Sequence, residues 1–406
     1  MLRINGVLVG FMVPHPVEAP SYIIFKEGDY VKAKNGDTGR IDFMGTDAAT
    51  VMQQAIDASP DFGLIFVKSP VTLTSITINK PLQLEFSRNA VVTPVSGYNT
   101  IIVASNDVTI RNLIIMGGGD GYRLYIHKGI GVENRIYRIL LENIYIDGLG
   151  APTGFGLYIN NVFNVSGVNV TIERCGDGCV HIIDSADVDM FRLYSISAGT
   201  SFATRIAGCG NVNLFASIFD SSPLGLTLYN NTEVKIFGGI TLSNTGKGIE
   251  VLNLNYDVQF YGHKIKNNGD DGIEINNPDG GDVRLIGVLS HNNGGYGFDL
   301  IACPNLFLDY CNGWANTLGN INNLAGAVIE HTPVYVTKNS GTATIPAGST
   351  SVTVPHGLAG TPRVVKATPR ANIGAVWVSA RDATNITIDC EVAPVVDTVV
   401  DWEAEL

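Results

Sequence analysis

The sequence predicts an all-β chain whose main part is a right-handed parallel β-helix, a solenoid with coils of 22 to 26 residues. Three observations carry that expectation. Valine or a similar residue opens a strand at Val108, Ile139, Val165, Val188, Val212, Val234, Val258, Val283 and Leu306. After a first interval of 31, the gaps are 26, 23, 24, 22, 24, 25 and 23 residues. A second column runs through Leu157, Cys179, Phe202, Leu226, Ile249, Ile273 and Phe298, again with gaps of 22 to 25. The units also alternate with period two: Val188-Asp189-Met190, Val234-Lys235-Ile236 and Val283-Arg284-Leu285 each set a charge between two apolar residues. A single coil cannot bury its apolar side. Stacked coils can, pairing their backbones at about 4.8 Å.

Residues 1–45 read as an N-terminal extension, broken at Pro14 and Pro20. The best helix is Thr46 to Ala58, with Thr46 or Asp47 as cap and apolar residues at Ala49, Val51, Met52, Ala55 and Ile56. Such a helix can cover the open end of a solenoid, which otherwise presents unpaired N–H and C=O groups. Short β-rich runs follow at Leu64–Val67, Val71–Ile78, Leu82–Phe86 and Ala90–Thr93. The first, longer interval predicts an inserted loop around Gly118 to Asn134. Asn267, Asn268, Asn292 and Asn293 fit left-handed turn conformations and the stacking of amides into ladders. The solenoid with its helix is expected over residues 46–330, with a linker near His331 to Asn339. Residues 335–406 read as a small β-sandwich-like domain of short antiparallel strands, with Trp377, Ile386, Ile388 and Trp402 in its core.

Composition narrows the function. The residues are 45% hydrophobic and 16% charged, which excludes a disordered chain, and the 46 glycines are too irregular for collagen. The net charge of −12 argues against nucleic acid or an anionic membrane as partner. No stretch is long enough to span a bilayer, and Met1 to Met12 has neither a long hydrophobic run nor a cleavage-site pattern. Cys175, Cys179, Cys209, Cys303, Cys311 and Cys390 form no CxxC pairs and read as buried thiols stacked between coils; Cys175 and Cys179 flank a Gly-Asp-Gly turn.

With Gly45-Thr46-Asp47-Ala48-Ala49, the following helix, Gly63-Leu64-Ile65-Phe66-Val67 and the repeat, residues 40 to 325 resemble the pectate-lyase-like superfamily of right-handed β-helices. The resemblance implies polysaccharide lyases, glycoside hydrolases or virus tailspikes, an extracellular or virion-associated setting, and a homotrimer. Val354-Pro355-His356-Gly357-Leu358 and Asp401-Trp402 resemble small β-modules that end some tail and spike proteins. Gly269-Asp270-Asp271 resembles an element of the polygalacturonase branch whose aspartates act as acid and base. The departures keep the chain out of that branch. Gly272 stands where a cysteine is expected, no Asn-Thr-Asp element or Arg-Ile-Lys element matches, and Gly262-His263-Lys264 precedes the aspartates instead of following them.

The repeat also points to a site. One residue after Ile249, Ile273 and Phe298 come Glu250, Glu274 and Asp299, which therefore stack on one outward face, neighbours roughly 5 Å apart. Paired carboxyl groups are what glycosidases use, and like charges this close raise one another's pKa. Asp271 borders this ladder, next to Lys247 of the preceding coil. The catalytic candidates are thus Glu250, Glu274, Asp299 and Asp271, and the substrate-binding candidates are Lys247, Arg205, Tyr229 and Asn276. Asp270, His263 and Lys264 are secondary candidates. His181 falls at an inward phase and His291 in an Asn-rich turn, both structural readings. No zinc, phosphate-loop or dinucleotide motif appears, so no cofactor is expected, although carboxylate oxygens suit calcium. The expected partner is a polysaccharide or cell-surface glycan, with degradation as the leading reading and a non-catalytic fibre, adhesin or glycan-binding module as the alternative.

Overall fold

The computed structural model describes residues 2–4, 7–9, 19–127, 135–150, 153–330 and 337–406. The valine column is one line of in-register backbone pairs from Val108 through Ile139, Val165, Val188, Val212, Val234, Val258 and Val283 to Leu306. All nine side chains face inward, none more than 4% exposed. Every one of these pairings is parallel, and the coils stack into a β-solenoid. Eleven strands form one continuous parallel sheet, from Ile76–Ile78 to Gly319–Asn323. The longer first interval contains a regular strand of that sheet, Leu124–Ile126; residues 128–134, in the remainder of the expected loop, lie outside the described residues.

Corners turn on left-handed residues, among them Asn267 (φ 56°) and Asn292 (φ 58°). The neighbouring Asn268 and Asn293 do something else. Asn244, Asn268, Asn293 and Asn316 form a ladder in which each amide Nδ2 donates to the next Oδ1 at 2.9 Å. The same Oδ1 atoms accept a backbone N–H of the preceding coil at 3.1 to 3.2 Å. An amide carries both donor and acceptor, so identical residues can satisfy one another when stacked at the coil spacing. A second ladder joins Asn231 to Asn255 at 2.9 Å and Asn255 N to Asn277 Oδ1 at 2.9 Å.

Helix α1, Ala48–Ala58, covers the open end and buries Ala48, Ala49, Val51, Met52, Ala55 and Ile56. Asp47 caps it, accepting from Ala49 N and Thr50 N. Its Gln53 amide replaces the missing neighbour of the first strand in the eleven-stranded sheet: Thr77 N donates to Oε1 at 2.8 Å and Nε2 donates to Thr77 O at 3.1 Å. That contact satisfies a sheet edge that would otherwise invite pairing with another chain. Ahead of the helix, the hairpin Tyr22–Glu27 and Tyr30–Asn35 joins the solenoid through parallel pairing of Tyr22 with Ile65.

One hydrophobic core runs from Tyr22 to Ile329, and a separate one from Ala343 to Ala404. The second belongs to two three-stranded antiparallel sheets. Ile386, Ile388 and Trp402 lie in it, whereas Trp377 is 47% exposed, because its strand turns Val376 and Val378 inward instead. All six cysteines are free and buried. The linker expected near His331 falls partly on residues 331–336, outside the described residues.

Replacing Val234, which is 0% exposed, with Asp should lower unfolding free energy by about 3–5 kcal/mol, since the charge has no partner inside the coil. Chemical denaturation of the two proteins measures this; equal midpoints would contradict the inward register.

Candidate functional site

The eleven-stranded sheet carries the site. One outward row follows backbone register through Tyr125, Tyr158, His181, Arg205, Thr227, Glu250, Glu274, Asp299 and Asn322. The inward column beside it is Leu157, Val180, Thr204, Leu226, Ile249, Ile273 and Phe298. Cys179 therefore stands one residue, and Phe202 two residues, before that column. The sequence pattern hid this because Thr204, a near-isostere of valine, fills the inward position at 0% exposure. Two corrections follow. His181 faces outward, and Arg205 shares the row of the three acids rather than that of Tyr229 and Asn276.

At the C-terminal end of the row the carboxylates crowd. Asp271, Glu274 and Asp299 are 6%, 9% and 9% exposed, and each offers an oxygen within 4.8 Å of the others. The neighbours divide them into two kinds. Lys247 Nζ bridges Glu250 at 3.0 Å and Glu274 at 2.8 Å. Burial opposes the charge on this ammonium, but its hydrogen bonds to Glu274 and Glu250 outweigh burial and raise its pKa above the ordinary lysine value. Asp299 accepts from Asn322 Nδ2 at 2.8 Å. Among the described residues Asp271 has no cation within ion-pair distance. Burial pushes its pKa up to about 6, against a hydrogen bond from Tyr296 N at 2.6 Å, with Asp270, Asp299 and Glu274 adding repulsion. The carboxyl with the raised pKa is thus the one bordering the ladder. Hard oxygen donors so close together also suit a divalent cation such as calcium.

Toward the N-terminal end the same face turns aromatic. Tyr122 packs on Tyr125 with ring centres 4.8 Å apart, and on Tyr158 at 4.6 Å. Phe155, His181 and Phe202 continue the cluster at 5.3 to 5.9 Å. Burial and the nearby Arg205 depress His181 to about 4, so its ring is neutral at ordinary pH; neither ring nitrogen has a hydrogen-bond partner. The Arg205 guanidinium lies 5.9 Å from the Phe202 ring centre and 5.6 Å from that of Tyr229. Its buried Nε lacks a partner, as does Thr227 Oγ1 one coil on. Among the candidates expected from sequence, the structure brings together Glu250, Glu274, Asp299, Asp271 and Lys247, with Arg205 farther along the row. Tyr229 and Asn276 occupy a parallel row with Leu252 between them. The aromatic cluster escaped sequence reading; its signal, Tyr125 and Tyr158 at one phase, needed the correct column.

The secondary candidates lie elsewhere. Asp270 is exposed at the turn. His263 is 0% exposed, bonded to Thr241 Oγ1 at 2.9 Å and Gly238 O at 2.6 Å, and burial depresses it to about 4. Lys264 belongs to another sheet, in register with Ile240 and Leu289. Gly272 has a steric reason: a Cβ there would fall 2.0 Å from Ser290 Oγ and 2.6 Å from Gly297 O, so no cysteine fits.

The coils, the helix at the open end and the rows of like residues together define the architecture. The fold is a parallel β-solenoid of about ten turns. No family model and no curated protein matches the chain. Among solved structures, it is similar to the mannuronan C-5 epimerase AlgE6 A-module of Azotobacter vinelandii, at 13% identity and a TM-score of 0.49, covering 70% of this chain and 94% of that one. It is similar to full-length tailspike protein 2 of the Escherichia coli O157:H7 bacteriophage CAB120, at 12% identity and a TM-score of 0.49, covering 87% and 60%. A Geobacillus virus E2 protein gives 12% identity and a TM-score of 0.45, covering 89% and 83%.

Asp271 also makes a stability prediction. Its folded pKa of about 6 lies above the ordinary 3.8, so its favourable contribution is present at low pH and is lost as pH rises through 6. Asp271→Asn should therefore gain stability relative to the parent between pH 4 and pH 7, by on the order of 1 kcal/mol after solvent screening. Denaturant midpoints at the two pH values test it; an unchanged difference would contradict the raised pKa.

Proposed function

We propose that the outward face of the eleven-stranded sheet binds a polysaccharide and cleaves it at the acid cluster. The observation that carries this reading is the convergence of Asp271, Glu274 and Asp299, with oxygens within 4.8 Å of one another, at the end of an aromatic-lined face. Asp271, with a pKa of about 6, is the general acid. Asp299 or Glu274 is the base or nucleophile, and Lys247 bridges Glu250 and Glu274. Arg205 and Tyr229 orient the sugar chain, and the Tyr122, Tyr125 and Tyr158 rings offer it flat platforms.

The ladder read from the repeat offered Glu250 or Glu274 as the general acid. The Lys247 bridge argues for moving that role to Asp271, because a carboxylate paired with an ammonium resists protonation. The same bridge favours a second reading, in which Lys247 neutralises a purely structural stripe on a glycan-binding shaft. A polysaccharide panel, with released fragments weighed and tested for unsaturation, separates the two. Asp271→Asn and Glu274→Gln should each lower kcat by at least about 100-fold with no loss of melting temperature, and parent activity should fall above about pH 6. Full activity in both variants would end the assignment. Binding without cleavage by the parent would leave the shaft reading.

The resemblance to spike proteins also supports a homotrimer acting outside the cell or on a virion. The solenoid exterior has apolar rows that suit contact between subunits: Phe191, Phe215, Phe237 and Tyr261 stack at 4.5, 4.9 and 5.1 Å, half-buried in the single chain. No helix among the described residues is long and apolar enough to cross a membrane. Light scattering at micromolar concentration should give three times the 43.3 kDa chain mass; a monomer mass would defeat the trimer.

A further inference from the structure

A different face holds cations that the proposed cleavage site does not use. Lys266, His291 and Trp314 stand in one outward row on three consecutive coils. Lys264 lies two residues before Lys266 on the same side of its strand. The His291 and Trp314 rings stack at 4.2 Å with an interplanar angle of 8°. Trp314 is 42% exposed, and Lys264 is exposed as well. Among the described residues neither lysine has an acidic partner within ion-pair distance, although the chain carries a net charge of −12. The charged groups that act on His291 are Lys266 and Lys264 alone, both positive. Lysine and tryptophan side chains donate hydrogen bonds and cannot accept them. The row is therefore a strip of donors and positive charge with nothing of its own to bind.

We infer that Lys264, Lys266, His291 and Trp314 form a second saccharide site that takes an acidic glycan, one carrying a carboxylate on successive sugar units. The coil spacing of about 4.8 Å is close to the length of one pyranose along a chain, so a chain laid along the row meets the two lysines on one coil and His291 and Trp314 on the next two. Nucleic acid fits less well. Its charge density, about one phosphate per 1.7 Å of duplex, needs many cations, and the field of an acidic protein repels it. The site lies on a different sheet from the acid cluster and does not depend on cleavage there.

Calorimetry in the Arg205→Ala protein, which weakens the proposed groove, isolates the second site. A galacturonate hexamer should bind with an affinity that falls as salt rises, and maltohexaose should bind at least about tenfold more weakly. Lys266→Gln and Trp314→Ala, each checked for an unchanged melting temperature, should each weaken the hexamer about tenfold. Lys264→Gln provides the same test should either of those fail to fold. The inference is overturned if no variant changes affinity, if maltohexaose binds equally well, if single-stranded oligothymidylate binds more tightly than the hexamer, or if the hexamer does not bind.

Discussion

In-register stacking of one coil on the next is the constraint on which the rest of the structure depends. It puts like positions of successive coils about 4.8 Å apart and repeats them along the axis. Whatever a position contains must therefore tolerate a copy of itself. Valine does so inside, where Val188 to Val283 touch without polar cost. Asparagine does so at the corner, because Asn244, Asn268 and Asn293 each donate and accept. Flat rings do so outside, where Phe191, Phe215 and Phe237 lie within 7° of parallel. The same spacing forces a conflict on carboxylates, which when ionised only accept.

A finite stack also has ends. The first strand of the eleven-stranded sheet would expose its backbone groups, and the Gln53 amide supplies a donor and an acceptor in the geometry of a neighbouring strand. A helix packed on the end thus does more than exclude water from Met52 and Ile56: it ends the sheet by mimicking it. The aromatic part of the outward face lies nearer this end, where Gly178 lets the Phe155 and Phe202 rings close to within 2.9 Å of where a Cβ would be.

Much of this architecture was legible because stacking writes a period into the chain. The valine column could be read residue by residue, as could the alignment of Glu250 with Glu274 and Asp299. Upstream, Thr204 broke the apolar pattern at an inward position, and the eye moved to Phe202, two residues away and on the other face. That single slip hid the outward phase of His181 and the place of Arg205. In the C-terminal domain, Val376-Trp377-Val378 is apolar throughout, so alternation alone could not say which set faced in. The proton preference of Asp271 was illegible for another reason. It arises from burial and from the Tyr296 N–H one coil away, neither of which a linear pattern contains.

The carboxylate conflict explains the composition of the acid end. A row of ionised acids without relief would repel at every coil, so each needs a donor, a cation or a proton. Glu250 and Glu274 share one ammonium, that of Lys247, which spans two coils. Asp299 takes an amide donor from Asn322 in the next coil, where the row becomes neutral. Thr227 makes it neutral on the other side. Asp271 receives one backbone donor and, among the described residues, no cation, and burial raises its pKa to about 6. Burial, with repulsion from the other carboxyls added, thus singles out one group, and a carboxyl with a pKa of about 6 beside further carboxyls is an arrangement that suits acid–base chemistry.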